Sequence, residues 1–113
     1  MENCIFCSII EKESPANIEY EDEDVIAFWD VSPKAAVHIL IVPKRHIPSI
    51  TNLQEVDGQL IGKMVLIAKD LAEKKEISED GYRLVFNVGR HSGQVVNHIH
   101  LHLIGGRPLG SIA

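Results

Sequence analysis

Apolar and polar residues alternate in several short stretches of the chain, which is the pattern of strands that bury one face. Residues 18–21 and 25–29 flank an acidic turn and together predict a hairpin. Three more strands are predicted: residues 37–42, which are followed by a proline, residues 82–88 and residues 98–104. The chain therefore offers five strands.

Helical periodicity appears over one long stretch, between the third and fourth predicted strands. Asn52 with Glu55 three residues later resembles a capping box, and it predicts that the helix begins near this point. Lys74 and Lys75 suit the helix C-terminus, where cations are favourable. The apolar positions at helical spacing are Leu60, Ile61, Met64, Val65, Ala68, Leu71 and Ala72.

A short helix or turn is predicted over residues 5–11. Because strands are adjacent and the long helix is segregated, the pattern predicts an α+β fold, with an antiparallel five-stranded sheet, one long helix and one short helix.

The length and charge of the chain limit its domain organisation and its partners. The 113 residues predict a single domain over residues 1–113. The formal net charge is -5, and no basic cluster exceeds the pair Lys44-Arg45. Binding to DNA or RNA needs a basic face, so a nucleic-acid partner is not expected. A small anion in one electropositive pocket is compatible with this charge.

The first residues, Met1-Glu2-Asn3, lack the basic start and apolar stretch of a signal peptide. No apolar run approaches the roughly 18 residues that a membrane span requires. We therefore expect a cytoplasmic protein without a membrane partner, and thiols stay reduced in that compartment. Cys4 and Cys7 are then expected to be metal ligands or a redox pair rather than a structural disulfide.

Histidine occupies every second position at the start of the last predicted strand. Residues two apart share a face, so His98, His100 and His102 would stand in line about 6.6 Å apart. The opposite face would be apolar, with Ile99, Leu101 and Leu103 available to pack against the long helix. One histidine in a strand is an ordinary half-exposed position, but three in register indicate a functional site.

Two chemistries suit such a row of imidazoles. Imidazole is a common zinc ligand, so the row could hold a catalytic metal. Alternatively, a neutral imidazole with a pKa near 6.5 is a competent nucleophile at neutral pH, and it could attack phosphorus to give a phosphohistidine that water resolves. His102 could then donate a proton to the leaving group or hold a phosphoryl oxygen.

Residues 98–104 resemble the motif of the histidine triad (HIT) family, in which three histidines alternate with apolar residues. The Gly105-Gly106-Arg107 that follows is similar to the phosphoramidase, or Hint-like, branch of that family. Four other segments also resemble that branch: residues 5–10, 28–33, 37–46 and 81–83. The resemblance covers nearly the full chain, and several motifs in the same order make it specific.

The resemblance implies an enzyme, a hydrolase or nucleotidyl transferase that cleaves the P–N bond of purine nucleoside 5′-monophosphoramidates. It implies that His100 becomes covalently nucleotidylated and that His102 contacts the phosphate and the leaving group. His38 would support the row from the neighbouring strand, although alone it would pass for a buried strand histidine. No cofactor is expected in catalysis. The resemblance also implies a homodimer that joins the sheets and long helices of two copies.

The substrate-binding residues implied by the resemblance lie in several segments. Asp30 would accept hydrogen bonds from both ribose hydroxyls, and Asn87 would contact the phosphate. In the loop Gly93-Gln94-Val95, backbone N–H groups would face the phosphate, where glycine allows close approach. The base pocket would be lined by Ile5, Phe6, Ile9, Phe28 and Leu40, each of which could equally be plain core.

Some members of the family carry a structural zinc, and the matching residues here are Cys4, Cys7, His46 and His98. Two thiolates and two imidazoles suit tetrahedral zinc. The alternative is a pair of reduced thiols at a helix start with a surface histidine. A structural zinc would withdraw His98 from direct chemistry.

Two positions depart from the family pattern. Val95 replaces a serine that in many members hydrogen-bonds the leaving group or phosphate, and Asn97 replaces a common tyrosine. These changes affect rate and substrate preference rather than reaction class. The rival functions are a nucleotide-binding regulator with incidental hydrolysis, a dinucleoside polyphosphate hydrolase, and a zinc hydrolase that uses the whole row.

Overall fold

Five short strands form one antiparallel sheet in a computed structural model that describes residues 4–112. The elements are α1 (Ile5–Ile10), β1 (Ile18–Glu21), β2 (Val25–Trp29), β3 (Val37–Pro43), α2 (Gly58–Lys74), β4 (Tyr82–Val85) and β5 (Leu101–Gly105). The strand order across the sheet is β1-β2-β3-β5-β4. The predicted α+β fold with five antiparallel strands is confirmed. The single domain over residues 1–113 stays a prediction, and residues 1–3 and 113 lie outside the described residues.

The two sheet faces bury different elements. On one face, apolar residues of β2, β3 and β5 form a core with α2, and the alternation predicted for Leu101 and Leu103 places both in it. The strand residues of this core are Val25, Ala27, Val37, Ile39, Ile41, Leu101 and Leu103, and α2 contributes Met64, Ile67, Ala68, Leu71 and Ala72. Burial of this apolar surface is the main stabilising contribution.

The opposite face carries a smaller core and the functional side chains. Phe6 and Ile9 of α1 pack there with Ile26, Phe28, Leu40 and Val42. In the β3–β5 register Leu40 is opposite His102, and His38 is opposite Ile104. Because residues two apart share a face, His38 and His102 lie beside this α1 core.

The start of α2 differs from the prediction. A 3-10 turn ends at Asn52, so Asn52 does not cap the long helix. The capping box belongs to a second 3-10 turn, in which the Asp57 carboxylate accepts the Gln54 backbone N–H at 2.8 Å. Asp57 is buried and also pairs with Arg45, so this turn is fixed before α2 begins at Gly58.

The last strand is shorter than predicted. β5 begins at Leu101, so His98 and His100 precede it. Leu101 pairs with Ile41 near the end of β3, and that strand stops at Pro43, which has no N–H to continue the ladder. The Ile99 N–H instead donates to the Ile47 carbonyl at 2.7 Å. β4 likewise ends at Val85, three residues before the predicted end.

Within residues 4–112, no helix combines the length and the apolar character that crossing a membrane would require.

Candidate active site

A cavity of about 820 Å³ lies between α1, the loops that follow β2 and β4, and the sheet face that carries the histidines. Its volume falls within the range of small-molecule sites, roughly 300–1,000 Å³. His38, His100 and His102 all line it. Each of these rings has a hydrogen bond that determines which nitrogen carries the proton, so the chemical role of each can be read from the geometry.

His100 presents a lone pair to the cavity. Its Nδ1 lies 2.8 Å from the His98 carbonyl oxygen, which can only accept, so Nδ1–H donates and Nε2 is left unprotonated. The Phe6 ring packs edge-on against the imidazole, with centroids 5.0 Å apart. Burial lowers the pKa of His100, which keeps the ring neutral. A neutral imidazole with a fixed, exposed lone pair is a nucleophile.

His102 is connected to the backbone of Lys34 through His38. The Lys34 N–H donates to His38 Nδ1 at 3.0 Å, so the His38 proton is on Nε2. That proton is donated to His102 Nδ1 at 2.8 Å, which places the His102 proton on Nε2. Burial lowers the pKa of His38, and burial with the nearby His100 and His38 lowers that of His102 to about 4. His102 is therefore a neutral N–H donor beside the His100 lone pair.

Asp30 and Asn87 also line the cavity. Asp30 Oδ1 accepts the Ser32 N–H at 2.8 Å, and its Oδ2 lies 3.5 Å from His38 Nε2. One carboxylate oxygen thus orients the side chain, and the group keeps further acceptor capacity for hydroxyl donors. The Asn87 amide lies 3.5 Å from His102 Nε2, where it can contact the same ligand group.

The loop at residues 93–95 only partly fits its expected role. The Gly93 and Gln94 N–H groups donate to the Arg90 and Gly89 carbonyls within the loop. They are therefore not available to a phosphate, contrary to expectation. Gln94 does not line the cavity; its side chain bonds to Ser49 and to the backbone of Gly89, Pro48 and Val96, so it stabilises the loop. Gly93 and Val95 do line it.

The expected base-pocket residues form one apolar wall. Ile5, Phe6, Ile9, Phe28 and Leu40 all line the cavity. Phe6 and Phe28 pack edge to face with centroids 5.5 Å apart. Four of the wall residues also belong to the smaller core, whereas Ile5 is 50% exposed at the edge of the wall.

Sequence reasoning missed several cavity residues. Val85 and Ile104 lie on the histidine face, and counting by two from His102 could have found Ile104. Trp29 is the last residue of β2; Val31, Ser32 and Lys34 belong to the segment that joins β2 to β3, and Pro15, Ala16 and Val96 come from other connections. Connections have no periodicity that would assign them to a site.

The four expected zinc ligands converge beside the cavity. The ligand atoms of Cys4, Cys7, His46 and His98 all lie within 4.8 Å of one another. The sulfur-to-Nδ1 distances are 3.2 Å for Cys7–His46, 3.4 Å for Cys4–His98 and 3.6 Å for Cys7–His98, and the two Nδ1 atoms are 3.1 Å apart. Tetrahedral zinc with usual bond lengths requires about 3.5 Å between a sulfur and a nitrogen ligand and about 3.3 Å between two nitrogen ligands.

The protonation of His98 also suits a metal. Its Nε2 lies 2.8 Å from the Pro43 carbonyl oxygen and donates to it, so the Nδ1 lone pair faces the thiols. The donor set of two sulfurs and two imidazoles therefore fits zinc. A second group, Asp30, His38 and His102, also places its ligand atoms within 4.8 Å. There a proton occupies the line between His38 Nε2 and His102 Nδ1, so that group does not fit a metal.

Known proteins share this chain's sequence and its fold. A family model described as "Scavenger mRNA decapping enzyme C-term binding" matches residues 3–110. The purine nucleoside phosphoramidase of Escherichia coli is 50% identical over 109 residues, which cover 96% of this chain and 92% of that protein.

Two solved structures extend the comparison. A HIT family hydrolase from Legionella pneumophila is 47% identical, covers 96% of each chain and superposes with a TM-score of 0.94. A zinc-bound histidine triad family protein from Mycobacterium smegmatis is 30% identical, with 93% of this chain and 76% of that chain covered and a TM-score of 0.79. In sequence and structure alike, and over nearly its full length, this chain belongs to the histidine triad family of hydrolases.

Proposed function

We propose that this enzyme cleaves the P–N bond of purine nucleoside 5′-monophosphoramidates through a nucleotide bound covalently to His100. The observation that carries the proposal is the hydrogen bond from His100 Nδ1 to the His98 carbonyl, which leaves Nε2 as a lone pair in the cavity. The 50% identity to the Escherichia coli phosphoramidase supports the substrate class.

The reaction has two halves. His100 Nε2 attacks phosphorus, a bond forms between them, and the P–N bond breaks with its electron pair on the amine nitrogen. That nitrogen takes one proton through the N–H donor of His102, and the amine leaves. Water then attacks phosphorus, the bond to His100 breaks, and one proton from the water returns to His102. The products are a nucleoside monophosphate and a free amine.

Substrate recognition follows from the lining of the cavity. The apolar wall around Phe6 and Phe28 accepts the base, since it offers surface without donors or acceptors. The Asp30 carboxylate accepts hydrogen bonds from both ribose hydroxyls. The phosphate lies near His102, Asn87 and the Val95 backbone N–H, which, unlike those of Gly93 and Gln94, has no protein acceptor within residues 4–112.

His100→Ala tests the covalent step, with His91→Ala as the matched control because His91 is exposed and does not line the cavity. Each variant is given adenosine 5′-phosphoramidate, and each reaction is quenched at alkaline pH for intact-mass analysis. We expect the wild type and His91→Ala to turn over and to carry a nucleotidyl adduct. We expect His100→Ala to do neither while it still binds AMP. Turnover by His100→Ala near the wild-type rate would disprove the mechanism.

We propose that Cys4, Cys7, His46 and His98 hold a structural zinc and that no metal takes part in the chemistry. Bound zinc would supply a fixed cross-link between the start of α1, the segment after β3 and the segment before β5. The four converging donor atoms support this, as does the zinc-bound relative. Two reduced thiols in one metal site also support a cytoplasmic location.

We also propose a homodimer. The side of α2 away from its own sheet exposes Leu66 by 62%, and β4 is an edge strand whose residues are all half-buried. A second copy would cover both features and remove an open strand edge. Sedimentation of the wild type is expected to give a dimer, and Leu66→Glu a monomer. Val56→Glu is the control, because Val56 is also an exposed apolar residue, at 83%, but lies outside α2. A wild type that sediments as a monomer at all concentrations would refute the dimer.

A further inference from the structure

Gly106 and Arg107 have no role in the chemistry proposed above, although they directly follow β5, the strand that carries His102. Arg107 is exposed and does not line the cavity. Its guanidinium Nη2 nevertheless donates to the Lys34 carbonyl oxygen at 2.5 Å, across 73 residues of sequence. This bond connects the end of β5 to the segment between β2 and β3.

The residue whose backbone Arg107 holds is also the one that orients His38. Lys34 accepts from Arg107 through its carbonyl and donates through its N–H to His38 Nδ1 at 3.0 Å. A backbone N–H can only donate, so this bond excludes the His38 tautomer that carries its proton on Nδ1. The remaining tautomer donates to His102 Nδ1.

Gly106, which precedes Arg107, lets the chain after β5 lie close to the segment between β2 and β3. Gly106 has φ of +98°, which side-chain-bearing residues rarely adopt, and a Cβ there would lie 2.9 Å from Ala36 Cβ. The segment that contains Lys34 and Ala36 is irregular, although the Asp30 N–H donates to the His38 carbonyl at 2.9 Å and the Ser32 N–H to Asp30 Oδ1 at 2.8 Å. It has no strand or helix between Trp29 and Val37, and Val31 is 97% exposed. The bond from Arg107 adds a connection to this segment from the far end of β5.

We infer that Arg107 is a positioning residue: its bond to the Lys34 carbonyl fixes the backbone of this residue, whose N–H selects the His38 tautomer and thereby keeps the His102 proton on the nitrogen that faces the cavity. The inference rests on the proposed function in one respect, since it assigns His102 as the donor to the leaving amine. The tautomer itself can be measured without substrate, so the two can fail separately.

The test compares Arg107→Ala, Arg107→Lys and Arg83→Ala with the wild type, all as the full chain. Arg83 is the matched control: its Nη2 donates to the Gly110 carbonyl at 2.8 Å, which is the same kind of bond to a different segment. The first measurement is ¹⁵N NMR of the histidine rings without substrate, with the His38 signals assigned by a His38→Gln variant. The second is kcat and KM for adenosine 5′-phosphoramidate.

In the wild type and in Arg83→Ala we expect His38 Nδ1 to give the shift of an unprotonated ring nitrogen. In Arg107→Ala we expect that shift to move toward the average of both tautomers. The kcat of Arg107→Ala is expected to fall about tenfold, which corresponds to about 1.4 kcal/mol of transition-state stabilisation. KM should stay within about twofold, because the lost interaction acts in the transition state. Arg107→Lys retains a cationic donor and should recover part of both changes.

Three results would overturn the inference. One is a wild-type His38 tautomer in Arg107→Ala, whatever its activity, since the effect would then be merely structural. Another is an equal loss of kcat in Arg83→Ala. The third is a changed tautomer with an unchanged kcat, which would separate His38 from proton delivery. If the wild type does not hydrolyse phosphoramidates, the proposed function fails, and the NMR comparison still decides whether Arg107 sets the tautomer.

Discussion

His38 and His102 are 64 residues apart in the chain, yet their rings meet in one hydrogen bond of 2.8 Å, from His38 Nε2 to His102 Nδ1. The strand register explains the meeting: Leu40 is opposite His102, and His38 is two residues further along β3 on the same face. The functional consequence is that His38 determines what His102 can offer to a ligand.

Replacement of His38 should therefore distinguish a donor from a packing residue. His38→Gln keeps an N–H donor, whereas His38→Leu fills similar space in this buried position without one. We expect kcat to fall roughly 10- to 100-fold in His38→Leu and clearly less in His38→Gln, because only the first loses the hydrogen bond that orients the proton donor. Steady-state kinetics provide the measurement. Equal rates in the two variants would mean that His38 only packs.

Asp30 should give the site its preference for ribonucleotides. In Asp30→Ala, two ribose hydroxyls would lose their acceptor, at a cost of about 1–3 kcal/mol in binding. Calorimetric titration with AMP and with 2′,3′-dideoxy-AMP should show that the wild type prefers AMP and that the variant does not discriminate. Glu23→Ala removes an exposed carboxylate away from the cavity and should bind like the wild type. A wild type that binds both nucleotides equally would contradict the assignment.

Zinc should be present at about one ion per chain in protein purified without chelators. His46→Gln removes a ligand and should lose the metal and lower Tm, while His91→Gln alters an exposed histidine outside the cluster and should retain both. Elemental analysis and thermal unfolding measure these outcomes. The His100 adduct should still form in His46→Gln. Wild-type protein that gains no zinc on titration would show that the cluster does not bind metal.

Val95→Ser should raise kcat for phosphoramidates by about two- to tenfold, because a hydroxyl at this position can donate to the departing nitrogen. Val95 lines the cavity and is 89% exposed, so the change should alter the free energy of unfolding by less than about 0.5 kcal/mol. Val56→Ser is the control, since Val56 is 83% exposed and lies away from the cavity. An unchanged kcat in Val95→Ser would show that the enzyme does not need a donor there.

Asp22 should make the fold sensitive to acid. Burial alone would raise the pKa of Asp22, but hydrogen bonds from Tyr20, Lys63 and two backbone N–H groups outweigh it and lower the pKa well below its usual range. A carboxyl whose pKa is lowered in the folded state makes its full contribution to the free energy of unfolding at neutral pH. That contribution falls from about pH 5 downward, until the pH is below the folded-state pKa.

Denaturant unfolding between neutral pH and about pH 3 tests this dependence. Asp22→Asn should be less stable than the wild type at neutral pH, and its stability should depend less on pH in the acid range. Asp80→Asn changes an exposed carboxyl and should follow the wild-type curve. Parallel curves for the wild type and Asp22→Asn would refute the role of Asp22.

Local periodicity was sufficient to predict the five strands and the inward direction of Leu101 and Leu103, since a strand alternates its faces wherever one face is buried. The start of α2 was missed because Asn52 and Asp57 are both residue types that can precede a helix. What fixes the turn at Asp57 is its ion pair with Arg45, a tertiary contact that local sequence does not show. The bond from Arg107 to Lys34 joins two irregular segments, and no pattern of residue types predicts it.

In the candidate site, too, some features could be predicted from the sequence and others depend on tertiary contacts. Spacing and resemblance were sufficient to identify His100 and His102 as candidate residues, although only His102 lies within β5 and His100 precedes it. Their different roles could not be identified in this way, since these depend on a carbonyl for one ring and on a second histidine for the other. Gln94 shows the opposite case: the loop closes upon itself, so a residue expected at the phosphate became a support for the loop.

The six residues of α1 contribute to two binding sites at once. Cys7 belongs to the proposed zinc cluster, and Phe6 beside it contacts both the His100 ring and Phe28 in the proposed base wall. If zinc fixes this helix, it raises the affinity of the enzyme for nucleotide, and nucleotide must then raise the affinity for zinc by the same factor. Substrate supply would thus determine how firmly the enzyme retains its metal when zinc is scarce.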